Sequence, residues 1–176
     1  MKLHLGCGKR DFGNDWVHID GGEFNHIQSH DIINLDYKNV DVIYASHVLE
    51  YFDRDEAKEV LLKWIECLKD GGILRLAVPD FECIAQLYTS KQYPLSSFLG
   101  PLYGKMDMGD EKIYHKTVYD YNSLKSLLIT CGFKNVRRYN WRETEHSHID
   151  DHSQAYLPHM DKEQGRLISL NVEAEK

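Results

Sequence analysis

The sequence predicts a layered α/β fold whose sheet is mostly parallel and ends in an antiparallel pair of strands near the carboxyl terminus. Three observations support this prediction. Short apolar runs bounded by Gly, Asp or Pro alternate along the chain with amphipathic helical patterns. The early runs are short, mostly apolar and bounded by Gly, Asp or Pro, as expected for buried strands of a parallel sheet. The 176 residues, of which 42% are hydrophobic and 28% charged, are enough for one globular core, so we expect a single domain over residues 1–176.

The strands are predicted from apolar runs that are too short for helices. Four lie in the first half of the chain, at residues 3–5, 17–20, 40–45 and 73–78. Two more, at 136–141 and 167–173, flank a polar, His-rich connection and suit an antiparallel edge hairpin. Only eight residues separate Gly8 from Val17, fewer than the dozen or so that a crossover helix requires. The first helix of the fold is therefore expected to be abbreviated or absent.

The clearest helix begins after Asp53, which can cap the helix N-terminus while Glu56 completes a capping box. Apolar residues then recur at steps of three and four up to Leu68, which gives the helix one buried face. Gly71 and Gly72 are predicted to end this helix, since glycine adopts the left-handed conformation that stops one.

Two further helices follow the same logic. Asp80 is predicted to cap one of them, and either Asp120 or Asn122 caps another that Gly132 ends. Between them, residues 90–116 are rich in Tyr, Gly, Pro and Met and have no long periodic pattern. A connection of this length in a compact domain is either a lid or substrate-binding segment or a disordered surface loop.

The charge balance and the cysteines exclude several classes of function. The 21 Lys and Arg residues against 28 Asp and Glu give a net charge of −7, and there is no basic run, so nucleic acid is excluded as the main partner. None of the four cysteines forms a C-x-x-C pair, which excludes a zinc knuckle and a redox motif and predicts reduced thiols in the cytoplasm. No window approaches the roughly 20 apolar residues of a membrane span.

The most informative motif is a Gly-x-Gly turn, Gly6-Cys7-Gly8, that directly follows the first predicted strand. Glycine allows positive φ there and lets a ligand approach the backbone. Asp20 ends the next strand, where nucleotide-binding sheets place a carboxylate that accepts hydrogen bonds from a ribose diol. Both features also have plain structural explanations: a tight turn without a ligand, and a turn residue before a Gly-Gly pair.

Four stretches of the sequence, the first of which contains this motif, resemble the class I S-adenosylmethionine-dependent methyltransferases. They are LHLGCGKRDFGNDWVHID at residues 3–20, Asp31-Ile32, DVIYASHVLEYF at 41–52 and LKDGGILRLAVPD at 68–80. More narrowly, the sequence is similar to the short, type 11-like methyltransferases associated with cell-surface polysaccharide synthesis. The similarity continues through YHKTVYDYNSLKSLLITCGF and LISLNVEAEK, so it covers nearly the whole chain. It implies a Rossmann-like fold and S-adenosyl-L-methionine as the cofactor.

The resemblance also implies a role for each matching residue at the carboxyl ends of the strands. The loop beneath the methionine part of the cofactor would consist of Leu5, Gly6, Cys7 and Gly8. Asp20 would bind the ribose, Asp31 the adenine amino group, and Ile32 would pack on the adenine ring. The residues facing the sulfonium would be Ala45, Ser46 and His47.

The chain departs from the family at two positions. His4 stands where an acidic residue is usual, and Arg10 stands where a third glycine is usual. The resemblance therefore implies no side chain for the contact with the methionine amino group, and main-chain carbonyls could serve it.

Methyl transfer to a hydroxyl also needs a group that takes the proton, and a histidine near its reference pKa suits that role. His47 is the first candidate because it follows the strand that ends at the cofactor crevice, and His115 is the second. Each could instead be structural, His47 as the first residue of a helix. The implied enzyme methylates a small-molecule or glycan-linked acceptor, with O-methylation preferred over N-methylation. Aromatic residues in 90–116, if exposed, would permit a homodimer.

Two other functions remain open. The chain could bind the cofactor without catalysing a reaction. It could also be a metal-dependent hydrolase, because an extended chain would place four side chains on one face: His146, His148, Asp150 and His152. No cysteine accompanies these residues and their spacing matches no named zinc motif, so we assign no metal ligands.

Overall fold

A computed structural model describes residues 1–109 and 111–176. The strands of the described chain are β1 Lys2–Leu5, β2 Trp16–Ile19, β3 Val40–Ser46, β4 Leu68–Pro79, β5 Met106–Asp107, β6 Lys112–Ile113, β7 Lys134–Arg138, β8 Tyr156–Leu157, β9 Arg166–Leu167 and β10 Ser169–Glu175. Its helices are α1 Arg54–Cys67, α2 Phe81–Thr89, α3 Ser96–Tyr103 and α4 Tyr121–Thr130, and short 3₁₀ turns occupy Leu49–Tyr51, Trp141–Glu143 and His152–Gln154. None of the helices in the described part is long and apolar enough to cross a bilayer.

The central sheet has six strands in the order β2-β1-β3-β4-β10-β7. Strands β2, β1, β3 and β4 are parallel neighbours, whereas β10 runs antiparallel to both β4 and β7. This arrangement confirms the predicted α/β fold with a mostly parallel sheet and an antiparallel carboxyl-terminal pair. The pair is not a tight hairpin, because residues 139–168 separate β7 from β10 and β10 is inserted between β4 and β7.

One face of the sheet carries the main apolar core. Because side chains alternate along a strand, Leu3, Leu5 and Ile43 point to the face covered by α1 and α4, and all three are fully buried. Burial of each such side chain stabilises the fold by about 1.5–3 kcal/mol. Trp64 of α1 also fixes the loop beyond β2, because its Nε1 donates to the carbonyl of Ile32 at 2.8 Å.

The opposite face of the sheet is aromatic and polar. His4 and Tyr44 are buried there. Residues 6–15 contain no helix. Instead, the ring of Phe12 lies between the rings of His4 and His146, at centroid distances of 3.9 and 4.3 Å and interplanar angles of 16° and 12°. The β1–β2 loop and the segment after β7 therefore cover the face that a first crossover helix would cover, in agreement with the prediction that this helix is abbreviated or absent.

Helix α1 begins as predicted but ends earlier. Asp53 accepts a hydrogen bond from the backbone N–H of Glu56, whose side chain accepts from the N–H of Asp53. The helix ends at Cys67, because Leu68 is already extended and pairs with Val40 of β3.

Gly71 and Gly72 therefore do not end the helix; they lie within β4, where the pairing with β3 shifts its register. Gly71 has a φ of +73°. A Cβ on Gly72 would lie 2.9 Å from the carbonyl oxygen of Lys69. The positive φ of Gly71, which suggested the end of a helix, instead accompanies the irregular pairing between β4 and β3.

The other two predicted helices are present. Asp80 accepts from the backbone of Cys83 at the start of α2, and Asp120 accepts from that of Ser123 at the start of α4. Gly132 follows α4 with a φ of +98°. Both helices thus begin, and α4 also ends, as local capping rules require.

The two carboxyl-terminal strand predictions are partly wrong. The run 136–141 extends too far, because β7 ends at Arg138 and Trp141 starts a 3₁₀ turn that the side chain of Asn140 caps. The run 167–173 is divided, since Leu167 ends β9 and Ser169 starts β10.

The segment 90–116, described except for residue 110, contains regular structure that the sequence did not indicate. It holds α3 and the β5–β6 hairpin. The helix has only eight residues and includes Gly100 and Pro101, so it is too short and too interrupted to produce a periodic apolar pattern.

Candidate functional site

The Gly-x-Gly turn after β1 is held in a conformation that only glycine adopts readily. Gly6 and Gly8 have φ values of +64° and +54°. A Cβ on Gly6 would collide with Val48, whereas a Cβ on Gly8 would meet nothing closer than Nη1 of Arg10 at 3.9 Å. Gly6 is therefore required by packing, and Gly8 leaves open space above the backbone.

Asp20 joins the end of β2 to this turn. Its Oδ2 accepts from the N–H of Gly8 at 2.7 Å and its Oδ1 accepts from the N–H of Gly22 at 2.8 Å. The second bond is the turn role that the sequence left open, and the first brings the two halves of the predicted motif together. Each carboxylate oxygen can accept a further hydrogen bond.

The side chains of the two neighbouring loop residues, Leu5 and Cys7, are buried. Leu5 is fully buried in the apolar core. Cys7 is also buried, with its Sγ 3.7 Å from Nε2 of His26. Burial, and secondarily the charge of Asp20, raises the pKa of the Cys7 thiol to about 12. The thiol is therefore protonated at neutral pH and is no nucleophile.

Asp31 and Ile32 are engaged within their own loop. The Asp31 carboxylate accepts from the N–H of Ile33 and from the N–H and side-chain amide of Asn34, at 2.8–2.9 Å. These bonds, chiefly that from the Asn34 backbone, hold the pKa of Asp31 below its usual value. Ile32 is partly buried against the main core. Within the described residues, no hydrogen bond links Asp31 to the glycine turn.

The end of β3 presents an unsatisfied polar group. Ala45 is buried, and the buried hydroxyl of Ser46 has no hydrogen-bond partner among the residues that the structure describes. His47 follows with a φ of +55°, and its N–H donates to the carbonyl of Ala77 at 2.8 Å. A left-handed non-glycine residue beside an unpaired hydroxyl is typical of a functional site.

The two candidate bases meet at a carboxyl group that the sequence did not single out as central. Oε1 of Glu50 lies 3.3 Å from Nδ1 of His47 and 3.8 Å from Nε2 of His115. Glu50 is fully buried, and neither of its oxygens makes a well-aligned hydrogen bond with a described residue. We call His47, Glu50 and His115 the Glu50 cluster.

Neighbouring groups determine which nitrogen of each imidazole carries the proton. Nδ1 of His115 lies 3.1 Å from the carbonyl of Pro101 and must donate to it, so Nε2 presents a lone pair to Glu50. Nε2 of His47 lies 3.3 Å from Oγ of Ser169, whose own hydroxyl donates to Asn171. Nε2 of His47 is therefore the donor, and its Nδ1 also presents a lone pair to Glu50.

Two lone pairs facing one buried carboxyl require that the carboxyl carry a proton. Burial raises the pKa of Glu50 to about 8. Burial also lowers the pKa values of His47 and His115. The Glu50 cluster is thus uncharged near neutral pH, with Glu50 protonated and both imidazoles neutral.

The segment after β7 contacts the β1–β2 loop and His47. Nε of Arg10 donates to the carbonyl of Asp150 at 2.9 Å, and the ring of His152 lies 5.1 Å from that of His47. The Arg10 side chain is partly buried, and no carboxylate in the described part of the chain pairs with it. The sequence indicated Arg10 only as a departure from a glycine; a cation at that position was the available signal.

The His-rich segment does not form the extended ligand row on which the metal-dependent alternative depends. Residues 152–154 form a 3₁₀ turn, His146 stacks on Phe12, and His152 lies beside His47. Among the described residues, no group of three His, Cys, Asp or Glu side chains is placed to hold a metal ion.

No protein-family model and no curated protein matches the sequence. Solved structures do match its fold. A SAM-dependent methyltransferase from Archaeoglobus fulgidus is 17% identical, over 99% of this chain and 85% of that one, with a TM-score of 0.59. One from Methanosarcina mazei is 16% identical, over 99% and 91%, with a TM-score of 0.57. Human N-acetylserotonin methyltransferase in complex with SAM is 12% identical, over 99% and 47%, with a TM-score of 0.58. The chain therefore has the fold of the SAM-dependent methyltransferases.

Proposed function

We propose that residues 1–176 form a single methyltransferase domain that uses S-adenosylmethionine to methylate a hydroxyl group of a small-molecule or glycan-linked acceptor. The observation that carries the proposal is the hydrogen bond between Gly8 and Asp20. It brings a Cβ-free turn and a carboxylate together at the edge of a parallel sheet where ligands bind.

The residues around this turn fit the cofactor. Asp20 has acceptor capacity for the ribose hydroxyls, and the space above Gly8 admits the methionine part. The guanidinium of Arg10, which has no carboxylate partner among the described residues, would bind the methionine carboxylate. The unpaired hydroxyl of Ser46 and the backbone of Ala45 border the same edge. We assign Asp31 and Ile32 to the adenine, as the sequence resemblance implies.

The bound cofactor would supply a methyl group activated by a positive sulfonium. The protein then has mainly to align the acceptor with that carbon, and positioning of this kind contributes about 7–11 kcal/mol to catalysis. The bond from Arg10 to the carbonyl of Asp150 holds the segment after β7 next to the turn, and this segment would limit the access of water to the site.

We assign the proton transfer to His47, with His115, on the other side of Glu50, as the second candidate. While Glu50 is protonated, Nε2 of His47 carries a proton and cannot accept another. When the pair of His47 and Glu50 has released one proton to solvent, the remaining proton lies on Nδ1 of His47 and is donated to the Glu50 carboxylate. Nε2 is then free to accept the proton of a hydroxyl substrate, which leaves His47 as an imidazolium beside the carboxylate.

Calorimetry with S-adenosylmethionine tests the proposed function. We expect micromolar binding by the wild-type chain and a loss of at least about tenfold in Asp20→Asn, which keeps an acceptor oxygen for Gly22 but loses the charge. Asp36→Ala, at an exposed acidic residue outside the turn, should bind as the wild type does. Absence of binding by the wild-type chain would refute the proposal.

A cofactor-binding module without catalysis is the second candidate function. The observation in its favour is that every ring nitrogen of His47 and His115 already faces a protein group. Mass spectrometry of mixtures of the chain, the cofactor and candidate sugars separates the two functions. A methylated product supports the enzyme, whereas cofactor binding without any product supports the module.

The cellular setting is part of the proposal. All four cysteines are buried free thiols, which supports a reducing compartment such as the cytoplasm. The role in cell-surface polysaccharide synthesis rests on the sequence resemblance. In residues 90–116, six large apolar side chains are exposed: Leu95, Leu99, Tyr103, Met106, Met108 and Tyr114. We assign this segment to covering the acceptor, and a homodimer through it is the alternative use.

A further inference from the structure

A cavity of about 340 Å³ opens where β4 ends and α2 begins. It is lined by polar groups that include Asp80, Glu82, Cys83, Arg138, Arg166 and Ser169. Asp80 directly follows β4, Arg138 ends β7 and Ser169 starts β10. The cavity therefore lies at the same edge of the sheet as the glycine turn, two to four strands further along from β1.

Ser169 connects the cavity to the Glu50 cluster. Ser169 is one of the residues that line the cavity, and its Oγ lies 3.3 Å from Nε2 of His47. His47 thus lies between the end of β3 at the proposed cofactor site and Ser169 at the border of the cavity. A molecule that is bound in the cavity and extends past Ser169 would reach His47, as a methyl acceptor must.

The anionic groups of the cavity are largely committed. Asp80 accepts from the N–H of Cys83 at 3.2 Å and faces Nη1 of Arg138 at 3.5 Å. Burial raises the pKa of Cys83, whose thiol donates to the carbonyl of Leu167, so the sulfur adds no charge. Glu82 lies on the exposed first turn of α2 and faces the side-chain amide of Gln86.

The cationic groups of the cavity are less committed. The guanidinium of Arg166 reaches the Cys83 thiol and forms no ion pair with a described residue. Arg138 forms a long contact with Asp80 and its guanidinium lies 4.9 Å from the centre of the Tyr121 ring, but its side chain is 49% exposed. A guanidinium presents several N–H donors in a fixed plane that matches the oxygens of a carboxylate or a phosphate.

We propose that this cavity binds the methyl acceptor through an oxyanion group, a carboxylate or a phosphate, held by Arg166 with support from Arg138. The inference rests on the proposed function, since it names the acceptor of the same site. The volume suits a molecule about as large as a monosaccharide. The acceptor is therefore an acidic or phosphorylated small molecule rather than a neutral one.

Titrations of the full chain with matched sugars test this inference. The probes are glucose, glucuronate and glucose 6-phosphate, so that each anionic sugar differs from the neutral one by a single group. We expect at least one anionic sugar to bind about tenfold more tightly than glucose. Arg166→Gln should abolish that preference, Arg166→Lys should restore part of it, and Arg137→Gln, at the neighbouring position on β7, should leave it unchanged.

Equal binding of the three sugars, or a preference that persists in Arg166→Gln, would overturn the inference. The preferred anionic sugar shows whether a carboxylate or a phosphate is recognised. A chain that binds S-adenosylmethionine but shows no anion preference contradicts this inference alone. A chain that shows the preference but does not bind S-adenosylmethionine keeps the anion site and contradicts the proposed function.

Discussion

Replacing Glu50 with Gln should change how the stability of the protein depends on pH. In the fold the pKa of Glu50 is about 8, against 4.5 for an ordinary glutamate, because burial disfavours the charged form. Between these values the unfolded chain has released the proton while the folded chain still holds it. The free energy of unfolding therefore falls as pH rises through this range.

The size of the effect follows from the shift. A difference of 8 − 4.5 = 3.5 pKa units corresponds to roughly 5 kcal/mol over the whole range. Burial lowers the pKa values of His47 and His115, and their contribution is complete above 6.5 and lost only below it. Between pH 6.5 and 8 Glu50 therefore dominates the cluster's pH dependence, and its share of the loss is about 2 kcal/mol.

Urea unfolding followed by circular dichroism, at several pH values between about 6 and 8.5, measures this dependence. Glu50→Gln has the shape of the protonated acid and cannot ionise, so its stability should stay nearly constant where that of the wild type falls. Glu66→Gln, at an exposed position of α1, should follow the wild type. Parallel curves for the wild type and Glu50→Gln would refute the protonated state of Glu50.

Two further predictions concern the β1–β2 loop. In calorimetry, Arg10→Gln should weaken the binding of S-adenosylhomocysteine about tenfold but should not change the binding of methylthioadenosine, which lacks the carboxylate. Lys9→Gln, at the exposed neighbouring position, should change the binding of neither ligand. Equal losses of affinity for both ligands in Arg10→Gln would contradict the contact with the carboxylate. Phe12→Ala should lower the free energy of unfolding by about 2–3 kcal/mol, because it empties the space between His4 and His146. Phe12→Leu should lose less in the same urea titration, and a loss below about 0.5 kcal/mol in Phe12→Ala would show that the stacked rings do not support the sheet.

The features that the sequence predicted correctly depend on neighbouring residues. The caps at Asp53, Asp80 and Asp120 are interactions over three positions, and the sequence shows all the groups involved. The prediction that Gly71 ends helix α1 was wrong because a glycine indicates a backbone conformation, here a positive φ, and this conformation occurs in strands as well as at helix ends. Helix α3 was missed because a short helix that contains Pro101 has no periodic pattern to detect.

The candidate site divides in the same way. The contact of Asp20 with Gly8 spans 12 residues and one strand, and the order of the motifs anticipated it. The approach of His115 to Glu50 and the bond from Arg10 to the carbonyl of Asp150 join positions 65 and 140 residues apart. Such pairs depend on how the whole chain packs, so no local pattern could reveal that Glu50 lies between His47 and His115.

The position of β10 affects how the protein is made. Residues 169–175 pair with β4 on one side and β7 on the other, although both partners precede them in the chain. During translation β7 is therefore synthesised before β10, the strand that lies between it and β4. Within the described sheet, β7 has no strand to pair with until β10 is in place. Ser169, whose Oγ contacts Nε2 of His47, is the first residue of β10 and takes its place in the same step. Ligand binding by stalled nascent chains would therefore report when the sheet is complete.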